Sequence, residues 1–169
     1  DGSLENPTPI TSTNGKVACH LCEDDGKIFC VNYVSGNVTK AGFKTVQHTG
    51  SGPNLPRQDG PHTHYAGLTP DKKYLCITDL GLDTIFVYDK DLDEVSCAKV
   101  PEGYGVRHLV FSDCGEYMFA INELISSVSA FSYSDGKLEL IDTVSILPED
   151  FKEKSSGGAI RIHNNKIYA

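Results

Sequence analysis

The sequence predicts an all-β protein, a β-propeller of four-stranded antiparallel blades, and three observations predict it. The 169 residues repeat with a period near 43: "KKYLCITDLGLDTIFVYD" overlies "GEYMFAINELISSVSAFSY" with Tyr74 on Tyr117 and Asp79 on Asn122. Short runs of Val, Ile, Phe and Tyr alternate with Asp, Asn and Gly turns, which is the pattern of hairpins. No stretch carries a helix of any length, which sets aside the helical repeat architectures.

Taken in order, the first unit (residues 1–50) contains "GKIFCVNYVSGNVT", with Asn32 preceding Asp79 by 47. Its outer part, "GNVTKAGFKTVQHT", reads as too short for two ordinary strands. The second unit (51–101) carries "GPHTHYAGLTPDKKYLCITDLG", two runs about a turn at Asp71–Lys72. The third (102–148) shows all four strands, "VRHLVFS", "EYMFAINEL", "SSVSAFSY" and "KLELIDTVSIL", separated by "SDCG", an "IS" step and "SDG". The fourth (149–169) begins its strands at "AIRIHNNKIYA" and is incomplete. Propellers close with about 4–8 blades, so three to four units predict part of a larger ring.

A net charge of −8 disfavours a nucleic-acid partner, whose phosphates need a basic face. No run reaches the roughly 18–20 apolar residues that span a bilayer, so no membrane association is expected. Of the six cysteines, Cys30, Cys76 and Cys114 sit in or beside apolar runs, where a free thiol behaves as a small hydrophobe. Reduced thiols and a cytoplasmic setting are the expectation. The chain opens on "DGSLENPTPI", with no secretory signal visible and no initiating Met.

In such a meander the first strand runs nearest the axis and the second returns beside it. The start of one and the end of the other therefore share an end of the blade, the mouth. Hairpin centres near Cys114–Gly115 and Asp71–Lys72 place Arg107 opposite Glu123 and His64 opposite Leu80. His62, His64, Arg107, His108 and Glu123 then gather at the mouth, with histidine returning every 44 residues as His20, His64 and His108. Only three of the fifteen basic residues are Arg, and Arg57 and Arg107 lie in or beside these motifs. A locally basic mouth on an acidic body suits a small anion.

Structural readings compete with each of these. A cross-strand Arg–Glu pair is more often an ion pair than a catalytic one. His62 and His64 share a strand face, but a metal would need a third ligand, and none is evident. Cys19 and Cys22 of "CHLC" face opposite sides of a strand, so no shared metal is expected there.

The motifs "GSGPN-x-x-RQ-x-x-PH-x-H" (Gly50–His64, with Arg57–Gln58), "DLG-x-D" (Asp79–Asp83), "RHLVF" (Arg107–Phe111), "NEL" (Asn122–Leu124), "LPEDF" (Leu147–Phe151) and "AIR" (Ala159–Arg161) together resemble the seven-bladed propeller lactonases. That family includes bacterial 6-phosphogluconolactonases and fungal carboxy-cis,cis-muconate cyclases. The resemblance implies a mouth site using His64, Arg107 and Glu123 as catalytic residues. His62, His108 and Arg57 are the candidates for substrate binding.

The implied reaction is hydrolysis of 6-phosphoglucono-δ-lactone to 6-phosphogluconate, a step of the pentose phosphate pathway. The implied partner is a small anionic sugar lactone. The chemistry needs an activated water and a stabilised oxyanion, without metal or organic cofactor. Glu123 is the candidate base and His64 the alternative, while Arg107 would hold the oxyanion or phosphate. Two rivals use the same residues: an enzyme of muconate-type lactones, and a non-catalytic interaction scaffold.

Overall fold

The structure, a computed structural model, describes residues 11–169; residues 1–10, where the first unit was expected to begin, lie outside the described residues. Three four-stranded meanders follow one another. The first comprises β1 (Ala18–Asp24), β2 (Lys27–Asn32), β3 (Asn37–Lys40) and β4 (Lys44–Gln47). The second comprises β5 (Thr63–Leu68), β6 (Leu75–Asp79), β7 (Thr84–Tyr88) and β8 (Glu94–Lys99). The third comprises β9 (Val106–Phe111), β10 (Tyr117–Asn122), β11 (Ser127–Ser134) and β12 (Lys137–Ser145). A hairpin of β13 (Arg161–His163) and β14 (Lys166–Tyr168) starts a fourth.

All pairings are antiparallel between sequence neighbours, so each sheet is an up-and-down blade. The first strands lie side by side, β1 against β5, β5 against β9 and β9 against β13, forming an inner wall. Among the described residues no helix is long and apolar enough to cross a membrane, and all six cysteines are unpaired.

One expectation fails in the first blade. "GNVTKAGFKTVQHT" does hold two outer strands, β3 and β4, each of four residues, joined by a tight turn at residues 41–43. Four residues suffice because Asn37 pairs Gln47 and Lys40 pairs Lys44, with no residue spare.

The core lies between the sheets. Phe29, Val31 and Val38 of the first blade meet Ala66, Leu75, Ile77 and Tyr88 of the second. Cys76, Ile85 and Val87 of the second meet Val106, Leu109, Met118 and Phe131 of the third. Middle strands are thus covered on both faces, and every residue of β6 is buried. This is why "LCITD" and "TIFVY" read as continuous apolar runs rather than alternating ones.

Two buried carboxylates lock the mouth. Asp79 accepts hydrogen bonds from the backbone N–H of His62 (2.8 Å) and Gly81 (3.0 Å), and its other oxygen pairs with His48 Nδ1 at 2.6 Å. Asp83 accepts from Gln58 Nε2 (2.8 Å) and from the N–H groups of Gly103 (2.7 Å) and Gly105 (2.6 Å). Gly81 between them must lack a side chain, because a Cβ there would stand 1.9 Å from the carbonyl oxygen of Gly60. The second-to-third-strand turns also share a device. Each blade places one left-handed residue there, Gly36 (φ 61°), Asp83 (φ 53°) and Ser126 (φ 46°).

Replacing Asp83 with Ala leaves two backbone donors and one N–H of the Gln58 amide, whose other N–H is held by the Leu80 carbonyl, without an acceptor in a buried setting. The expected loss is about 3 kcal/mol in urea denaturation, with Asp83→Asn losing less because one oxygen remains.

Candidate active site

The mouth is shaped by a repeated irregularity. Pairing jumps from Ala18↔Asn32 to His20↔Val31, from Thr63↔Asp79 to Tyr65↔Thr78, and from Val106↔Asn122 to His108↔Ile121. Cys19, His64 and Arg107 are the extra residues of three equivalent bulges. A bulge bends its strand and re-aims the side chain it carries.

Two readings of the sequence change accordingly. His20 and His108 are counterparts, with Tyr65 between them, but His64 is the counterpart of Cys19 and Arg107. The 44-residue return of histidine therefore mixes two positions. Nor does Arg107 sit opposite Glu123, whose N–H donates to the Gly105 carbonyl at 2.8 Å. His64 likewise does not face Leu80, whose N–H donates to the His62 carbonyl at 3.0 Å. Each partner is displaced by two residues, one of them the inserted residue of the bulge and the other a half-residue shift in the hairpin centre.

The side chains nonetheless converge. Glu123 accepts from Arg107 Nε on one oxygen (2.9 Å) and from Arg57 Nη2 on the other (2.5 Å). Arg107 Nη1 also donates to the Gly158 carbonyl. Arg57, delivered by the loop that Gln58 anchors, donates as well to the Tyr33 hydroxyl (3.3 Å). The Tyr33 ring stacks on His62 with centroids 4.6 Å apart and meets His64 edge-on at 5.7 Å. His62 is held further by Asp59 Oδ1 at 3.1 Å from its Nε2. His64 lies 5.2 Å from His108, which lies 5.5 Å from His20. His62, His64, Arg57, Arg107, His108 and Glu123 thus form one connected cluster. Two guanidinium groups share one carboxylate, leaving a net positive charge on an acidic protein.

Burial, then the Arg107 guanidinium, lowers the His64 pKa to about 4. His108 is lowered to about 4 by burial first and then by Arg107, His64 and His20. His20 is lowered too, chiefly by burial. The mouth therefore presents neutral imidazoles at neutral pH. The Nδ1 atoms of His64 and His108 are buried and have no hydrogen-bond partner among the described residues. Arg57 is raised, through its hydrogen bonds to Tyr33 and Glu123.

Sequence reasoning missed Tyr33. It follows Asn32 as Glu123 follows Asn122, so the repeat itself marked it as a mouth position. His48, from the same loop as Arg57, is not at the mouth. It is buried, with Asp79 on Nδ1 and the Tyr88 hydroxyl 2.9 Å from Nε2. The "CHLC" thiols diverge: Cys19 Sγ approaches the Thr63 carbonyl (3.5 Å) and Cys22 Sγ that of Glu23 (3.9 Å).

The family model "Lactonase, 7-bladed beta-propeller" matches residues 3–169. The chain belongs to the seven-bladed β-propeller lactonase family. A 6-phosphogluconolactonase of Bacillus subtilis is 35% identical over 166 residues, covering 88% of this chain and 47% of that protein. A crystal structure of a protein from Lactobacillus plantarum superposes with a TM-score of 0.81 at 33% identity, over 88% of this chain and 48% of the other. The periplasmic gluconolactonase of Pseudomonas aeruginosa gives a TM-score of 0.73 at 26% identity, over 86% of this chain and 47% of the other. The chain spans about half the length of the curated relatives it matches.

The lowered histidines set a pH dependence. Each binds a proton more readily unfolded, near pH 6.5, than folded, so stability is full above about pH 6.5 and falls as pH drops towards 4. Thermal unfolding followed from pH 7 to pH 4 is expected to show this fall. His64→Gln and His108→Gln should each make it shallower.

Proposed function

We propose that this chain supplies the core of a lactone-opening site, and that the whole protein hydrolyses 6-phosphoglucono-δ-lactone to 6-phosphogluconate in the cytoplasm. The observation that carries the reading is the Glu123 carboxylate clamped between Arg57 and Arg107 beside a neutral His64. The 6-phosphogluconolactonase relative supports the choice of substrate.

Hydrolysis adds water to the lactone carbonyl carbon, builds negative charge on its oxygen and expels the ring oxygen, which takes up a proton. Glu123 takes the proton from the attacking water. Each carboxylate oxygen accepts one guanidinium N–H and retains a further lone pair for that water. Arg107 is held by Glu123 and the Gly158 carbonyl, and its remaining N–H groups are the donors for the developing oxyanion. Arg57 keeps a side chain 45% exposed and so offers donors to an anionic substrate. His64 is the second candidate for the proton, being unprotonated at neutral pH with a free Nδ1. His62 and His108 line the approach, and Tyr33 braces Arg57.

Turnover by the full-length protein, followed through a dehydrogenase coupled to 6-phosphogluconate and corrected for spontaneous ring opening, tests the reading. Glu123→Gln should lower kcat by ~10²-fold or more, and Arg107→Lys should lower kcat more than it raises KM. If His64 is the base, His64→Ala takes the larger loss instead, and kcat/KM stays flat through pH 6.5 and declines only near pH 4. A folded, full-length wild type with no rate above the uncatalysed one would overturn the assignment.

A further inference from the structure

A cleft of about 680 Å³ adjoins the cluster and is lined by Asn54, Arg57, Leu124, Ser126, Lys154 and Ser155, among others. The repeat shows what differs here. In the second blade the equivalent turn position is Asp83, whose carboxylate ties down Gln58, Gly103 and Gly105, and the adjoining cleft is only about 240 Å³. In the third blade the position is Ser126. Its hydroxyl makes one hydrogen bond, to Ser155 Oγ at 2.8 Å, on the segment leading towards β13. A short neutral side chain thus stands where the neighbouring blade keeps a carboxylate.

The charges facing this space are Arg57, Lys154 and Glu153. Arg57 bridges the two regions, because its Nη2 holds Glu123 while its half-exposed guanidinium lines the cleft. The two cations and the two hydroxyls can donate to a phosphate, whereas Glu153 is an acceptor that opposes one. The phosphorylated end of a sugar lactone could extend into it while the carbonyl lies over Glu123.

We infer that this cleft binds the phosphoryl group of a phosphorylated sugar lactone, with Lys154 as the residue that selects phosphorylated over unphosphorylated substrate. The inference rests on the lactone-opening reading and adds a subsite to it. Lys154 is exposed and outside the sheets, so its replacement leaves the blades intact.

The test compares kcat/KM for 6-phosphoglucono-δ-lactone and glucono-δ-lactone in the full-length protein, its Lys154→Ala variant and a Lys152→Ala control. Lys154→Ala should reduce the preference for the phosphorylated lactone about tenfold, mainly through KM, and Lys154→Arg should restore most of it. The control should leave the ratio alone. An unchanged ratio in Lys154→Ala overturns the subsite.

Calorimetric binding of 6-phosphogluconate reads the same cleft without turnover. Binding weakened by Lys154→Ala in a protein that opens neither lactone keeps the subsite and removes the lactonase reading. Binding indifferent to Lys154 removes the subsite whether or not lactone is opened.

Discussion

The mouth depends on a carboxylate that takes no part in the proposed chemistry. Asp83 is buried at the turn between β6 and β7, and its two oxygens bind one side chain and two backbone groups from two different segments. One segment is the loop that delivers Arg57. The other is the Gly103–Gly105 turn that feeds β9 and hence Arg107. The two guanidinium groups that meet on Glu123 are therefore registered to each other through a single buried anion. Asp79 does the same for the entry to β5, fixing the backbone of His62 two residues before His64. An unpaired carboxylate in such a place would be strongly unfavourable; satisfied by backbone donors, it fixes geometry that exposed loops alone would leave loose.

The electrostatics of the site follow from that geometry. Burial disfavours protonation of His64 and His108, and Arg107 stands close enough to act in the same direction. The positive charge is thereby concentrated on the two arginines, while the imidazoles remain available as acceptors. Glu123 neutralises only part of that charge. The acidic surface outside and the cationic cluster at the mouth coexist because the two guanidinium groups are held on one largely buried carboxylate by direct hydrogen bonds.

The fold was legible because a propeller announces itself by period, and turns such as "SDCG" and "SDG" cannot be read as helix. What escaped the sequence was geometry that costs a single residue. A bulge adds one position to a strand without disturbing the pattern of apolar runs, and it accounts for one of the two residues by which the partners of Glu123 and Leu80 were misread as Arg107 and His64. The outer strands of the first blade escaped because four residues between turns look like a loop until their partners are known. Tyr33 escaped for a different reason. It was sought by chemical type, whereas its significance lies in occupying the place that Glu123 holds two blades later. The cleft beside Arg57 was likewise invisible, since its lining residues come from four separate stretches of the chain.

The three equivalent bulges carry Cys19, His64 and Arg107 on nearly the same backbone. A thiol, an imidazole and a guanidinium are thus alternative fillings of one socket, repeated around an axis. Chemistry can change at one socket by a single substitution while the strand pairing that holds it is left as it was. Gene duplication of a blade supplies a spare socket, and selection needs to alter only its occupant. That separation of frame from filling is a physical route by which one ring of blades could come to act on unrelated substrates.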